Sequence, residues 1–166
     1  MAEEFGSLKR YNGTSWTYQF TNRVQAEDIM FLSPQEGWVV GREIIDCYQD
    51  HCSYRGASEY WTGTGWVYVG MPMSVNTLSG LWASPTTGTW AVGSSIVNGL
   101  IFRWAGTEWQ SVPVPADVGP LVDIEMVSPT FGWAIGLNGE LLYWDGIKWQ
   151  VWAANIRTVH IPMTAG

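Results

Sequence analysis

LVDIEMVSPTFGWAIGLNGELLYWDGIKW, residues 121–149, is the clearest copy of a pattern that runs through the whole chain. Its last part, Tyr143 to Trp149, lines up with Phe102 to Trp109, Tyr60 to Trp66 and Arg10 to Trp16. In each copy a glycine precedes a tryptophan by three residues: Gly13/Trp16, Gly63/Trp66, Gly106/Trp109 and Gly146/Trp149. Its first part is a Ser-Pro pair followed by an aromatic and apolar run closed by glycine. That part occurs three times, from Ser33-Pro34 to Gly41, Ser84-Pro85 to Gly93 and Ser128-Pro129 to Gly136. The final tryptophans are 50, 43 and 40 residues apart, which is the period of propeller blades.

Within a unit, the runs are short, β-branched or aromatic, and separated by Gly, Pro, Asn, Thr or Asp. Such runs predict strands joined by tight turns. Residues 121–152 hold four of them: Leu121 to Val127, Trp133 to Gly136, Glu140 to Trp144 and Lys148 to Trp152. Asn12-Gly13 and Asp145-Gly146 suit a hairpin between the third and fourth strands, and Asn138-Gly139 one between the second and third, because glycine takes positive φ without strain. Asn98-Gly99 is read as another such turn. Ser-Pro fits the turn before the second strand, where proline's missing N–H breaks no ladder. A four-stranded sheet of this size cannot bury both faces alone, so the units must stack. Radial stacking predicts an all-β fold, a β-propeller or partial propeller of about 3.5 four-stranded antiparallel blades of 40–50 residues each. A β-sandwich would need the in-phase Gly-x-x-Trp and Ser-Pro copies to coincide by chance. The repeated tryptophans (Trp38, Trp90 and Trp133 in the second strand; Tyr11, Trp61, Trp104 and Trp144 closing the third) are then blade-to-blade packing rather than a sugar-stacking platform.

The motif Ser128 to Trp149 resembles the repeat of the photosystem II stability/assembly-factor-like propellers, which are related to the sialidase-type Asp-box repeats. The Gly-Trp-Ala-Val-Gly strand of that family is matched by Gly132 to Gly136, Gly37 to Gly41 and, more loosely, Thr89 to Gly93. Where the Asp-box hairpin has Asp-Gly-Gly-x-x-Trp, this chain has a single glycine. Only Asp145 stands in the acidic place, with Asn12, Thr62 and Ala105 in the other copies. Degenerate repeats of this kind also resemble those of long bacterial surface and secreted propellers. The resemblance implies a fold more than a function.

The chain is expected to be one domain: a third-and-fourth-strand half at 8–20, blades at 27–69, 77–114 and 120–153, and a tail strand at 156–163. Four third-and-fourth-strand halves stand against three first-and-second-strand halves, fewer than a ring of four to eight blades requires. The expectation is a partial propeller completed by copies of itself. Eight Lys+Arg against fifteen Asp+Glu give a net charge of -7 in 166 residues. That argues against nucleic-acid or anionic-membrane partners, which are held by clustered cations. No run has the length of a membrane-spanning helix, so no membrane insertion is expected.

One segment escapes the repeat. Between Gly41 and Ser58 the chain inserts Arg42 to Ala57, against only Leu137 to Gly139 at the same place in the clearest copy. Both cysteines, Cys47 and Cys52, lie in it, and a disulfide between them would pin an extended hairpin. An oxidising compartment, extracellular or at the cell surface, follows from such a bond; the start MAEEFGSLKR has no apolar signal-peptide core, so any signal has been removed, the chain is intracellular, or those residues are not native. Arg42, Asp46, Tyr48, Asp50, His51, Tyr54 and Arg55 offer ring faces and both charges on a pinned loop, a candidate binding surface. The same loop read as an undecorated staple needs no ligand. In a propeller it would sit beside Met71 to Asn76 and Pro113 to Pro120. Asp46, Cys47, Asp50, His51 and Cys52 are zinc-ligand types, but the second ligand pair of a structural zinc site is missing, so no metal is expected.

Chemistry elsewhere is sparse. Asp123 and Glu125 share one face of a first strand and would act as an acid/base pair or hold a cation only with further acids beside them; Asp28 and Ser79 stand at the neighbouring places. His160 has no nucleophile at motif spacing, and the arginine triad of sialidases is not recognisable. Asn12-Gly13-Thr14 is an N-glycosylation sequon explained by its turn. No catalytic residue and no cofactor is assigned. The expected function is a non-enzymatic scaffold or assembly module making protein–protein contacts, its partners protein, chiefly copies of itself. The alternative is a lectin-like propeller binding glycan through loop-face aromatics, which repeated polar pockets would favour.

Overall fold

The computed structural model describes residues 7–155 apart from Asp50 and Met73. The expected tail strand at 156–163, with His160, lies outside the described residues. Among the described residues every regular element is a strand, and no helix is long and apolar enough to cross a membrane. The chain begins with a two-stranded half-blade, β1 (Ser7–Tyr11) and β2 (Trp16–Phe20). The first blade is β3 (Gln25–Ser33), β4 (Glu36–Tyr48), β5 (His51–Trp61) and β6 (Trp66–Val69). The second is β7 (Thr77–Ser84), β8 (Gly88–Ser94), β9 (Gly99–Trp104) and β10 (Trp109–Val112). The third is β11 (Leu121–Ser128), β12 (Phe131–Gly136), β13 (Leu141–Trp144) and β14 (Trp149–Ala153). Each blade is an antiparallel meander in chain order, and the first strands of neighbouring blades adjoin, so they form the inner wall of the arc. This is a partial β-propeller.

The turns form for the reasons the sequence carries. Gly13, Gly63, Gly106 and Gly146 all sit at φ between 90° and 100° in the hairpin that closes each unit. At the first and last of these, Asn12 and Asp145 accept backbone N–H bonds from the residues two and three further on. The serine of each Ser-Pro caps its turn, as when Ser84 Oγ accepts from Thr86 N and Thr87 N. The proline carbonyl matters too. Trp61 Nε1 donates to Pro34 O and Trp144 Nε1 to Pro129 O, which ties the tryptophan ending a third strand to the Ser-Pro turn of the same blade. Asn98-Gly99 differs from expectation: the turn closes through Ser95 N to Asn98 O, and Gly99 already begins β9.

Three aromatic clusters hold the arc. One lies between the half-blade and the first blade (Val24, Val39, Ala57, Trp61, Trp66). The next joins the first blade to the second, around Trp38, Leu78 and Trp109. The third joins the second to the third, around Trp90, Leu121, Trp144 and Trp149. The contact is the same each time it is complete. Trp38 meets Trp104 and Trp109 at ring distances of 4.8 and 5.3 Å, and Trp90 meets Trp144 and Trp149 at 5.4 and 6.1 Å. Such tilted and edge-on pairs contribute about 0.5–1.5 kcal/mol each beyond the area they bury. The inner wall is joined by a second device: Asp28 Oδ2 accepts from Leu81 N of the next blade at 2.8 Å.

Candidate functional site

The insertion of the first blade is a continuation of its ladder. β4 and β5 stay paired from Gly37↔Trp61 out to Tyr48↔His51, well beyond the point where β3 and β6 stop. Cys47 and Cys52 face each other in that register and are joined by a disulfide. Both sulfurs are thus taken, and the metal arrangement weighed from the sequence loses its two thiolates.

The candidate site residues divide into two groups. Arg42, Tyr54 and Arg55 are used by the scaffold. The Arg42 guanidinium lies 4.5 Å from the Tyr54 ring centre, and its Nε donates to Gln25 Oε1 at 3.3 Å. Arg55 pairs with the buried Glu43 and bonds the Tyr68 hydroxyl, which itself donates to Glu43. Glu43 is the hub of this cluster, with Arg23 also 3.9 Å away. The bond to Glu43 raises the pKa of Arg55, and burial together with Glu43 raises that of Tyr68. Asp46, Tyr48 and His51 are exposed near the hairpin tip, Tyr48 at 76%. Asp50 lies outside the described residues. Sequence reasoning missed Glu43 because its partner Tyr68 lies a strand away, on β6.

The hairpin borders a groove of about 410 Å³ lined by Tyr54, Ser74, Val75, Asn76, Ser95 and Ile96. The segment before β7 is therefore its neighbour, tied on by Gly56 N to Val75 O. Ser95 and Ile96 of the second blade's own turn form its other wall. The segment Pro113 to Pro120 joins the start of β9, just after that turn, through Gly99 N to Val118 O.

Asp123 and Glu125 are exposed on β11. The register makes Gly80, not Ser79, the counterpart of Asp28 and Asp123 (Asp28↔Val40, Gly80↔Val92, Asp123↔Ile135), since β3 and β11 carry a second bulge before their Ser-Pro turns, at Phe31/Ser33 and Met126/Ser128, that β7 lacks. Glycine is required there, because a Cβ on Gly80 would stand 2.8 Å from Asp123 Cα. Burial, and to a smaller degree the charge of Asp123, raise the pKa of Asp28 against the two backbone N–H bonds it accepts.

The two ends of the arc carry unfinished copies of the aromatic contact. At one end Trp133, in the place of Trp38 and Trp90, meets among the described residues only the rings of its own blade's Phe131, Tyr143 and Trp152, and Trp152 is 66% exposed. At the other end Tyr11 and Trp16, in the place of Trp104 and Trp109, stack on each other at 5.3 Å and are 53% and 66% exposed. Beside them a cleft of about 490 Å³ opens between the half-blade and the first blade, with Leu8, Arg10, Phe31, Trp61 and Trp66 among its walls.

No protein-family model matches the chain, and no curated protein matches it. Among solved structures it is similar to one described as YCF48 bound to D1 peptide, with a TM-score of 0.60 and 14% identity over 90% of this chain and 43% of that one. The chain thus spans less than half the length of that structure. At this identity the likeness establishes the propeller fold.

Proposed function

We propose that this chain is a non-enzymatic, protein-binding propeller scaffold that completes itself with further copies. The observation that carries it is the pair of unfinished contacts at the two ends of the arc. Among the described residues, Trp133 lacks the aromatic pair that Trp38 and Trp90 meet, and Tyr11–Trp16 lacks the tryptophan that Trp104–Trp109 meets. The two half-contacts are complementary, so a third blade of one copy fits the half-blade of the next in a head-to-tail contact. Exposed aromatic surface of this kind marks an interaction site. A protein partner is also in keeping with the similar fold being one solved with a peptide bound. The disulfide fits an extracellular or cell-surface setting, and the exposed hairpin tip at Asp46, Tyr48 and His51, with neighbouring Asp50, is a second recognition surface of the scaffold.

Light scattering across a concentration series tests the self-completion. The expected result is a mass above that of the single chain, falling towards it in Trp133→Ala and in Trp16→Ala. A single-chain mass at every concentration sinks it.

A further inference from the structure

Among the described residues, the half-blade has no strand in the place that in every blade pairs with the other side of the third strand. β1 holds the third-strand place, and among the described residues it pairs only with β2 and has no partner on its other edge, beside the 490 Å³ cleft. What belongs there is shown by the complete blades. In each, a second strand with a central tryptophan runs antiparallel to the third strand, in the registers Trp38↔Tyr60, Trp90↔Arg103 and Trp133↔Tyr143. Where a blade follows, that tryptophan packs onto the two tryptophans of its third and fourth strands. In the first blade those two are Trp61 and Trp66, and both line the cleft.

The residue of β1 that faces the missing position is Arg10, since Tyr11↔Trp16 corresponds to Trp104↔Trp109 and Arg10 therefore to Arg103. Arg103 lies 5.1 Å over the ring of Trp90, its partner in the ladder. Arg10, with no such partner among the described residues, lies 5.9 Å from the ring of Trp61. Lys9 and Arg10 both line the cleft, and no Asp or Glu is among the described residues that do, in a chain of net charge -7. The site is thus cationic at its rim and aromatic within.

We propose that the β1 edge and this cleft bind an extended segment of a partner protein by strand addition, with an aromatic side chain inserted between Trp61 and Arg10 and an acidic residue near it. Main-chain pairing supplies the binding and the aromatic pocket the selection, as in other strand-addition complexes. The ring would take the place of Trp38 or Trp90, with Arg10 stacked on it as Arg103 is on Trp90. The inference rests on the protein-binding reading; because Tyr11 and Trp16 also line this cleft, it is separated from self-completion by the measurements below.

The probe is a labelled peptide copying Glu36–Glu43, Glu-Gly-Trp-Val-Val-Gly-Arg-Glu, added to the full chain and followed by fluorescence anisotropy. Saturable binding is expected, abolished when the peptide's tryptophan is alanine and weakened about 2- to 30-fold by Arg10→Ala, which removes an exposed cation and no core. Equal binding of the alanine peptide, or no effect of Arg10→Ala, overturns the proposal. So does displacement of the peptide as the chain's own concentration rises, which would make a second copy the occupant. Much tighter binding after truncation at Asn155 would assign the cleft to the chain's own end and overturn it equally. Self-association is read separately by light scattering, so a monomeric chain that binds the peptide refutes self-completion alone.

Discussion

The indole N–H of Trp109 in the second blade donates a 2.9 Å hydrogen bond to the hydroxyl of Ser58 in the first. The corresponding indoles of the other two blades, Trp66 and Trp149, are buried with no hydrogen-bond partner among the described residues. The register explains the difference. Three residues before the tryptophan or tyrosine that ends each third strand stand Leu8 in the half-blade, Ser58 in the first blade and Ile101 in the second. Only serine can accept. Ser58→Ala leaves Trp109 as orphaned as the other two and also removes the bond from Ser58 to Val69 O. A loss of about 1–3 kcal/mol is expected in urea unfolding. No change would mean that the indole bond adds nothing across the blade boundary.

The repeat of the tryptophans, and the glycines and Ser-Pro pairs between them, made the blades legible, because each sits where backbone geometry allows little else. Trp61 and Trp144 reach the Pro34 and Pro129 carbonyls, so the two halves of the motif repeat together. The Cys47–Cys52 hairpin was legible from the length of the insertion. The use of Arg42 and Arg55 within the scaffold was not, since it depends on Gln25, Glu43 and Tyr68 arriving from three strands. The unmatched half at 8–20 was legible too, from the count of halves, but the cleft beside β1 was not, since its lining brings Lys9 and Arg10 together with Trp61 and Trp66 of the next blade.

The closing glycine of the second strand is a packing requirement. A Cβ on Gly93 would stand 2.1 Å from Thr77 O and 2.8 Å from Leu78 Cα, both backbone, where β7 and β8 meet at the bulge. Gly93→Ala must move one strand. The expected cost is about 1–3 kcal/mol, visible as a fall in thermal midpoint, whereas an alanine at the open Gly65 meets nothing within 4 Å. Equal midpoints for the two variants would refute the close approach.

Glu140, 8% exposed, ties the entry of the third blade together. Its Oε1 accepts from Gly119 N at 3.2 Å and its Oε2 from Asn138 N at 3.1 Å. Burial pushes its pKa up, and these bonds, with those from its own backbone and the Asn138 amide, outweigh burial and leave it below the ordinary 4.5. A carboxylate depressed in the fold stabilises it above the unfolded value and loses that contribution as pH falls through the folded value. Glu140→Gln is therefore expected to be less stable by about 1–3 kcal/mol at pH 7. The gap should close below pH 4.5 in a series of unfolding curves, and a gap independent of pH would contradict the assignment.

The disulfide closes a loop of sequence separation 5, so the chain-entropy argument gives it about 2 kcal/mol at most. Its bond lies outside the part of the ladder flanked by β3 and β6. Reduction is expected to speed amide exchange at Ile44 to Tyr48 and His51 to Tyr54 while leaving the blade clusters protected. Loss of protection around Trp90 or Trp38 on reduction would show that the hairpin supports the whole arc.

Asp28 gives a pH dependence of the opposite sign to that of Glu140. Burial raises its pKa above 3.8, more than the N–H bonds from Ile29 and Leu81 lower it, and Asp123 adds a smaller upward push. In that window the folded chain holds more protons than the unfolded one, so this group's contribution falls as pH rises from 3.8 through the folded value. Asp28→Asn cannot titrate. It loses one acceptor at every pH, but the stability of wild type relative to the variant should decline as pH rises through the acid range. Asp123→Asn removes the neighbouring charge and should shift that decline to lower pH. Unfolding free energies measured at half-unit steps separate the cases: a difference that grows with pH would mean that Asp28 is stabilised as the carboxylate, and that the bond to Leu81 outweighs the burial of its charge.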